Sequence, residues 1–173
     1  KFLRKHIPYN DISELPVRSV VCATDLIGSK PVAFWDGSVD ECVSASCSIP
    51  IVFKPVKIGG VMYVDGGVVA NLPAWALRDK CKYLIGINCS PMPRRSQPKS
   101  ILDVAQLTYD LLVKNNSTEQ MRMCDLAISI NDIAKYKVFN LKEINRVFRS
   151  GYDNTMLALL NAGFVRPSDV KKT

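Results

Sequence analysis

Histidine and paired cysteines are scarce in this sequence, which argues against several kinds of site. It holds a single histidine, His6, and six cysteines that include no Cys-x-x-Cys pair. Structural zinc sites are usually built from closely spaced Cys and His pairs. The sequence therefore predicts no metal site, and nothing in it indicates a cofactor. His6 lies in a basic amphipathic stretch, where we expect it to have a surface or packing role.

Long apolar runs are also missing. No run approaches the roughly 18–20 residues that a membrane-spanning helix needs. Most cysteines lie in apolar surroundings, where a free thiol behaves as a small hydrophobic group. These features favour a cytoplasmic protein with reduced thiols, soluble or peripheral to a membrane, over a disulfide-stabilised one.

Positive charge is in excess. The chain has 23 Lys and Arg against 16 Asp and Glu, a formal net charge of +7. Such a balance favours contact with anionic surfaces such as phospholipid headgroups. The basic residues are scattered, so an ordinary solvated surface is the alternative. No nucleic-acid motif or alternation of aromatic and basic residues is present, and we expect no nucleic-acid partner.

The length and the hydrophobic pattern predict one domain covering residues 1–173. Strand-like and helix-like segments alternate, which is typical of a three-layer α/β/α fold with a mainly parallel sheet. The predicted strands cover 17–23, 32–35, 53–58, 61–64, 83–89 and 125–130. The first two are expected to form a hairpin-like pair, and 53–58 and 61–64 a hairpin with a Gly59-Gly60 turn. Helices are predicted to begin near Ser38, Pro73, Ser100 and Asn140, and Gly163 is predicted to cap the last one. Capping boxes are predicted for Ser100 with Asp103 and for Asn140 with Glu143. We expect a parallel crossover between 61–64 and 83–89.

One stretch, residues 61–73, organises the rest of the sequence. A run of strand-forming residues ends at Asp65 and is followed by Gly66 and Gly67. A buried strand that delivers a carboxylate to a sharp turn is how α/β proteins present a reacting group. Asp and Gly are also good turn formers, so a purely structural turn is the alternative.

Between Val17 and Asn88 the chain resembles the second half of a patatin-like phospholipase. Six pieces match in order: Val20-Val21-Cys22-Ala23-Thr24-Asp25-Leu26, Phe34-Trp35-Asp36-Gly37, Ala45-Ser46-Cys47-Ser48-Ile49-Pro50, Phe53-Lys54-Pro55-Val56, Tyr63-Val64-Asp65-Gly66-Gly67 and Asn71-Leu72-Pro73. Residues 125–130 and 150–152 resemble the bacterial branch of that family more loosely. Six pieces at the right spacing are far more specific than any one of them.

The resemblance implies a lipid acyl hydrolase with a Ser–Asp dyad that cleaves phospholipid or other lipid esters. Asp65 matches the family's catalytic aspartate, and Gly66 and Gly67 would leave room for the acyl-enzyme. A serine hydroxyl is a poor nucleophile until a base takes its proton. A carboxylate desolvated by apolar neighbours can serve as that base, and a dyad needs no histidine.

The family's Gly-x-Ser-x-Gly motif and its glycine-rich oxyanion loop are both missing from these residues. The Ala45–Pro50 piece packs beside the site in the family, so its serines do not suit the nucleophile's role, and no other serine does. The sequence begins at Lys1 without Met, and we expect the nucleophile-bearing half to precede it or to lie on another chain. The isolated chain would then be inactive. A non-catalytic interaction module with the patatin fold is the alternative.

If that half is separate, residues 1–7 would be the tail of one of its helices. A sheet edge near 17–23 or 61–64 would also be exposed. Unpaired edges favour pairing with another chain, so we expect a partner segment or self-association.

Overall fold

The computed structural model of the protein describes residues 2–90, 97–136 and 141–166. The chain divides into two compact units, Lys1–Lys80 and Cys81–Thr173, and each is described by itself. The single domain over residues 1–173 stays a prediction.

The first unit contains a four-stranded antiparallel sheet. Its strands are β1 (Val21–Asp25), β2 (Lys30–Phe34), β3 (Val56–Ile58) and β4 (Val61–Asp65), in the spatial order β2-β1-β4-β3. The β3–β4 turn consists of Gly59 and Gly60, whose φ angles of 55° and 89° suit a tight hairpin turn. Both predicted hairpins are therefore confirmed.

Two expectations about this sheet fail. Every strand pair in it is antiparallel, so a mainly parallel sheet is not confirmed. The physical reason is loop length, because the connections β1–β2 and β3–β4 are too short for a parallel crossover. The strands β1 and β4 lie in the interior of the sheet, and its edges are β2 and β3. The prediction of an exposed edge at 17–23 or 61–64 is thus wrong for the strands formed there.

The first unit also contains several short helices. They are α1 (Phe2–His6), α2 (Val39–Ser46), α3 (Gly67–Ala70) and α4 (Ala74–Leu77), with 3-10 turns at Ile12–Glu14 and Arg78–Lys80. Ser38 caps α2 as predicted, because its side chain accepts a hydrogen bond from the amide of Glu41. The hydrophobic core of the first unit consists of Ile12, Val39 and Cys42, and Phe34 packs against them.

The second unit contains one parallel strand pair. It is formed by β5 (Ile85–Asn88) and β6 (Leu126–Ser129), and the connection between them contains α5 (Ile101–Arg122). A helix α6 (Ile144–Asn161) follows, after 3-10 turns at Asn131–Lys135 and Leu141–Glu143. The strands β4 and β5 belong to different units and different sheets, so the parallel crossover between them stays a prediction.

Helix ends in the second unit follow sequence signals closely. Ser100 and Asp103 form the predicted capping box of α5. Gly163 ends α6 with a φ of 75°, and Phe164 N donates to Leu159 O, as in a glycine-terminated helix. The capping pair predicted at Asn140 lies outside the described residues. Within the described ranges, no helix is both long enough and apolar enough to cross a bilayer.

Candidate active site

Asp65 is the last residue of β4. It is the register partner of Ala23 on β1, and its amide donates to the carbonyl of Ser48 at 3.0 Å. Asp65 is half-buried, whereas its neighbour Val64 is only 2% exposed. The backbone around the carboxylate is thus fixed from two sides, by a central strand and by the segment that follows α2.

The turn after Asp65 orients its carboxylate. Gly67 N donates to Asp65 Oδ1 at 2.7 Å, and α3 begins at Gly67. A hydrogen bond from a backbone amide favours the charged form of a carboxylate. The sequence prediction therefore holds in its geometry: strand, carboxylate and glycine turn follow one another directly.

Position 66 has no room for any side chain larger than that of glycine. Its φ of −61° suits any residue, but a Cβ there would lie 2.8 Å from Cys22 O and 3.2 Å from Cys22 C. These are backbone atoms of β1, which cannot move aside on their own. The turn can therefore pass this close to the sheet only with glycine at this position. A role for Gly66 and Gly67 in leaving room for an acyl group stays a prediction.

The thiol of Cys47 lies within electrostatic range of Asp65. Partial burial of the sulfur, followed by the negative charge of Asp65, raises the pKa of Cys47 above its ordinary value. Sequence reasoning placed Cys47 beside the site only as part of a family piece. The sequence shows only that Cys47 directly precedes Ser48. That position does not reveal the electrostatic interaction between the Cys47 thiol and the Asp65 carboxylate.

Ser48 is engaged in the scaffold. Its hydroxyl donates to Ser44 O at 2.7 Å, and the residue is 5% exposed. Its carbonyl accepts from the amide of Asp65. The expectation that this piece packs beside the site is met, and the hydroxyl holds the end of α2 in place.

An exposed apolar loop follows Ser48 closely. It consists of Ile51, Val52 and Phe53, which are 60%, 49% and 53% exposed, and we call it the apolar loop. Ile51 has a φ of 75°, a conformation that β-branched residues rarely adopt. Such strain persists only where the surroundings enforce it, and it is commonest at functional sites. Lys54 directly follows the loop and is also exposed.

Asp25, the second carboxylate on this pair of strands, closes a turn. Its Oδ1 accepts from the amides of Ile27 at 3.2 Å and Gly28 at 2.8 Å. A Cβ at Gly28 would lie 2.8 Å from Asp25 Cγ, so the carboxylate fills the space that a side chain there would need. Asp25 borders a cavity of about 340 Å³ that also includes Lys57 and Gly60. Its bonds give it a structural role.

Comparison with known proteins tests the sequence resemblance. The model of the family described as patatin-like phospholipase matches residues 2–78. Residues 2–78 are patatin-like. The match contains Asp65, Gly66, Gly67 and the apolar loop, and it ends before β5. The looser resemblance of residues 125–130 and 150–152 stays a prediction.

Individual relatives match segments of similar length. The uncharacterized protein YqhO of Bacillus subtilis is 35% identical over 74 residues, which cover 40% of this chain and 25% of the relative. The uncharacterized NTE family protein Rv1063c of Mycobacterium tuberculosis is 39% identical over 62 residues, covering 36% of this chain and 17% of the relative. The chain therefore spans about a quarter or less of the length of these relatives.

Proposed function

We propose that Asp65 is the general base of a Ser–Asp dyad in a lipid acyl hydrolase, with the serine supplied from outside these 173 residues. The observation that carries the proposal is the placement of Asp65 within the patatin-like segment. A half-buried carboxylate ends a central strand, and Gly67 N holds one of its oxygens at 2.7 Å. A base held at a fixed orientation needs little reorganisation when the proton moves.

The chemistry would run in two halves. The serine oxygen attacks the ester carbonyl while its proton passes to the Asp65 carboxylate. The protonated Asp65 then gives that proton to the departing alcohol, which leaves an acyl-serine. Water then attacks the acyl-serine while Asp65 takes a proton from it. Asp65 returns that proton to the serine oxygen as the acyl–serine bond breaks, which releases the fatty acid and restores the free serine. One carboxyl group therefore serves as base and acid in turn.

Features beside Asp65 support a lipid substrate. The apolar loop begins three residues after Ser48, whose carbonyl bonds the Asp65 amide. Apolar side chains that stay exposed in this way can enter the apolar part of a lipid surface. Lys54 next to the loop and the net charge of +7 favour an anionic membrane surface. That attraction should weaken as salt is added.

The first experiment compares two proteins on a short-chain nitrophenyl ester. The 173-residue chain alone is expected to show no hydrolysis above background, because the dyad lacks its serine. The same chain joined to an upstream segment that carries Gly-x-Ser-x-Gly is expected to hydrolyse the ester. The matched control is the joined protein with that serine changed to alanine.

Two outcomes would contradict the proposal. Hydrolysis by the 173-residue chain alone would place a nucleophile within it. A folded joined protein without activity on any lipid ester would instead favour a non-catalytic module with the patatin fold.

A further inference from the structure

A groove in the second unit lies where the two parallel strands end. Its volume is about 500 Å³. Asn88 is the last residue of β5, Ser129 is the last residue of β6, and the two are register partners that both line the groove. Ligands of α/β proteins typically bind at the carboxyl ends of parallel strands. The position of the groove therefore suits a binding site.

Two good hydrogen-bond donors in this groove share a weak acceptor. Asn88 Nδ2 and Ser129 Oγ both donate to the sulfur of Met121, each at 3.6 Å. A thioether sulfur accepts hydrogen bonds poorly. Asn88 Oδ1 accepts from Ser90 N at 3.0 Å, which orients the amide so that its NH₂ group faces Met121. A ligand with strongly accepting oxygens would offer both donors a better partner.

The charged side chains of the groove are positive. Lys114 and Arg122, both on α5, line it, and no carboxylate is among the lining residues that the structure describes. Neither cation forms an ion pair with another residue in the part of the chain that the structure describes. Two positive charges beside amide and hydroxyl donors favour an anion that has several acceptor oxygens.

We propose that this groove binds a phosphate group, either as free phosphate or as the exposed phosphate of a lipid headgroup. A phosphate offers several acceptor oxygens, so it can bond donors from both strand ends and from α5 at once. Its charge of about −1.5 at neutral pH also suits the two positive charges of Lys114 and Arg122. A carboxylate has two oxygens and one charge, and would satisfy fewer of these groups.

The test is an amide NMR titration of the protein with inorganic phosphate. We expect saturable shifts at Asn88 and Ser129. Lys114→Gln and Arg122→Gln should each weaken binding about tenfold, since each removes one charge-assisted hydrogen bond. Asn88→Asp keeps the oxygen that accepts from Ser90 N and replaces the donor by a carboxylate, so it should abolish binding.

The control variant is Lys99→Gln, which removes one exposed positive charge that does not line the groove. It should bind phosphate like the unchanged protein. If all three neutralised cations weaken binding equally, the attraction is diffuse and the proposal fails. It fails equally if phosphate causes no saturable shift at Asn88 and Ser129. The same spectra show whether each variant is folded.

Vesicles distinguish the two sources of phosphate. In sedimentation with phosphatidic acid vesicles, a lipid headgroup site predicts binding that Arg122→Gln and Asn88→Asp reduce and Lys99→Gln leaves unchanged. Phosphatidylcholine vesicles, whose phosphate is covered by choline, should bind less. If all three variants bind vesicles as the unchanged protein does, while inorganic phosphate still shifts the amide signals of Asn88 and Ser129, free phosphate is the ligand.

Discussion

At the scale of single residues, the charge of Asp65 should be measurable through Cys47. The negative carboxylate helps to raise the pKa of the Cys47 thiol. In Asp65→Asn that charge is gone, so the pKa falls and more thiolate is present at a given pH. Because the thiolate is the reactive form, Cys47 should be alkylated faster by iodoacetamide at pH 7.5, as followed by peptide mass spectrometry.

The control for that measurement is Asp79→Asn. Asp79 is an exposed carboxylate in the same unit and is not among the groups that shift the pKa of Cys47. Its removal should leave the alkylation rate of Cys47 unchanged. Equal rates in Asp65→Asn and in the unchanged protein would show that the two side chains do not interact as described.

Gly66 gives a prediction about stability. A methyl group there would press on the backbone of Cys22, 2.8 Å away. We expect Gly66→Ala to lower the free energy of unfolding by about 1–3 kcal/mol, the usual cost of overpacking. Thermal unfolding followed by circular dichroism measures the loss.

The matched glycine is Gly151 in α6, where an added Cβ meets nothing within 4 Å. Gly151→Ala should stabilise its unit by about 0.5–1 kcal/mol, because alanine costs less entropy in a helix. If Gly66→Ala lowers the free energy of unfolding no more than Gly151→Ala does, the close approach of the turn to β1 does not require glycine at position 66.

At the scale of elements, the beginning of α5 depends on Ser100. Ser100 Oγ accepts from Asp103 N at 3.1 Å, and Asp103 Oδ2 accepts from Ser100 N at 2.9 Å. Ser100→Ala removes the first of these bonds and should cost about 1 kcal/mol of helix stability. Hydrogen exchange at the amide of Asp103 should therefore become faster.

Thr108→Ala is the control within the same helix. Thr108 lies in the first half of α5, is exposed, and its hydroxyl donates to the helix carbonyl of Val104 at 2.9 Å. Alanine is the better helix former at such a position, so exchange at Asp103 should stay the same. Faster exchange in both variants would indicate general loosening of α5 instead of loss of a cap.

Local signals in the sequence predicted most elements correctly. The Gly59-Gly60 turn, the caps at Ser38 and Ser100 and the end at Gly163 all depend on backbone chemistry within a few residues. Strand partnership depends on residues far apart in the chain. That is why the mainly parallel sheet was not confirmed, whereas both hairpins were predicted correctly.

The candidate site, like the fold, could be predicted only in its local features. Strand, carboxylate and glycines are consecutive, so their order at Asp65 could be read directly from the sequence. The nearness of Cys47 and the bond from the Asp65 amide to Ser48 O could not, since the chain between them forms a loop and a hairpin first. The clash that makes Gly66 necessary involves a different strand and has no local signal.

At the scale of the whole molecule, the residues that support the two proposals lie in different units. The patatin-like match at residues 2–78 falls in the first unit, together with Asp65 and the apolar loop. The second unit contains the parallel strand pair and the basic groove. Loss of phosphate binding in Arg122→Gln and loss of ester hydrolysis in Asp65→Asn would therefore be independent results.

The central claim, that Asp65 is the catalytic base, is tested most directly by kinetics of Asp65→Asn in the protein joined to its serine-bearing segment. Asparagine keeps an oxygen for Gly67 N and cannot take a proton. We predict that kcat on a lipid ester falls at least about 100-fold, the contribution expected of a general base, with little change in KM. Asp79→Asn should keep the original kcat. Retention of kcat by folded Asp65→Asn would contradict the account.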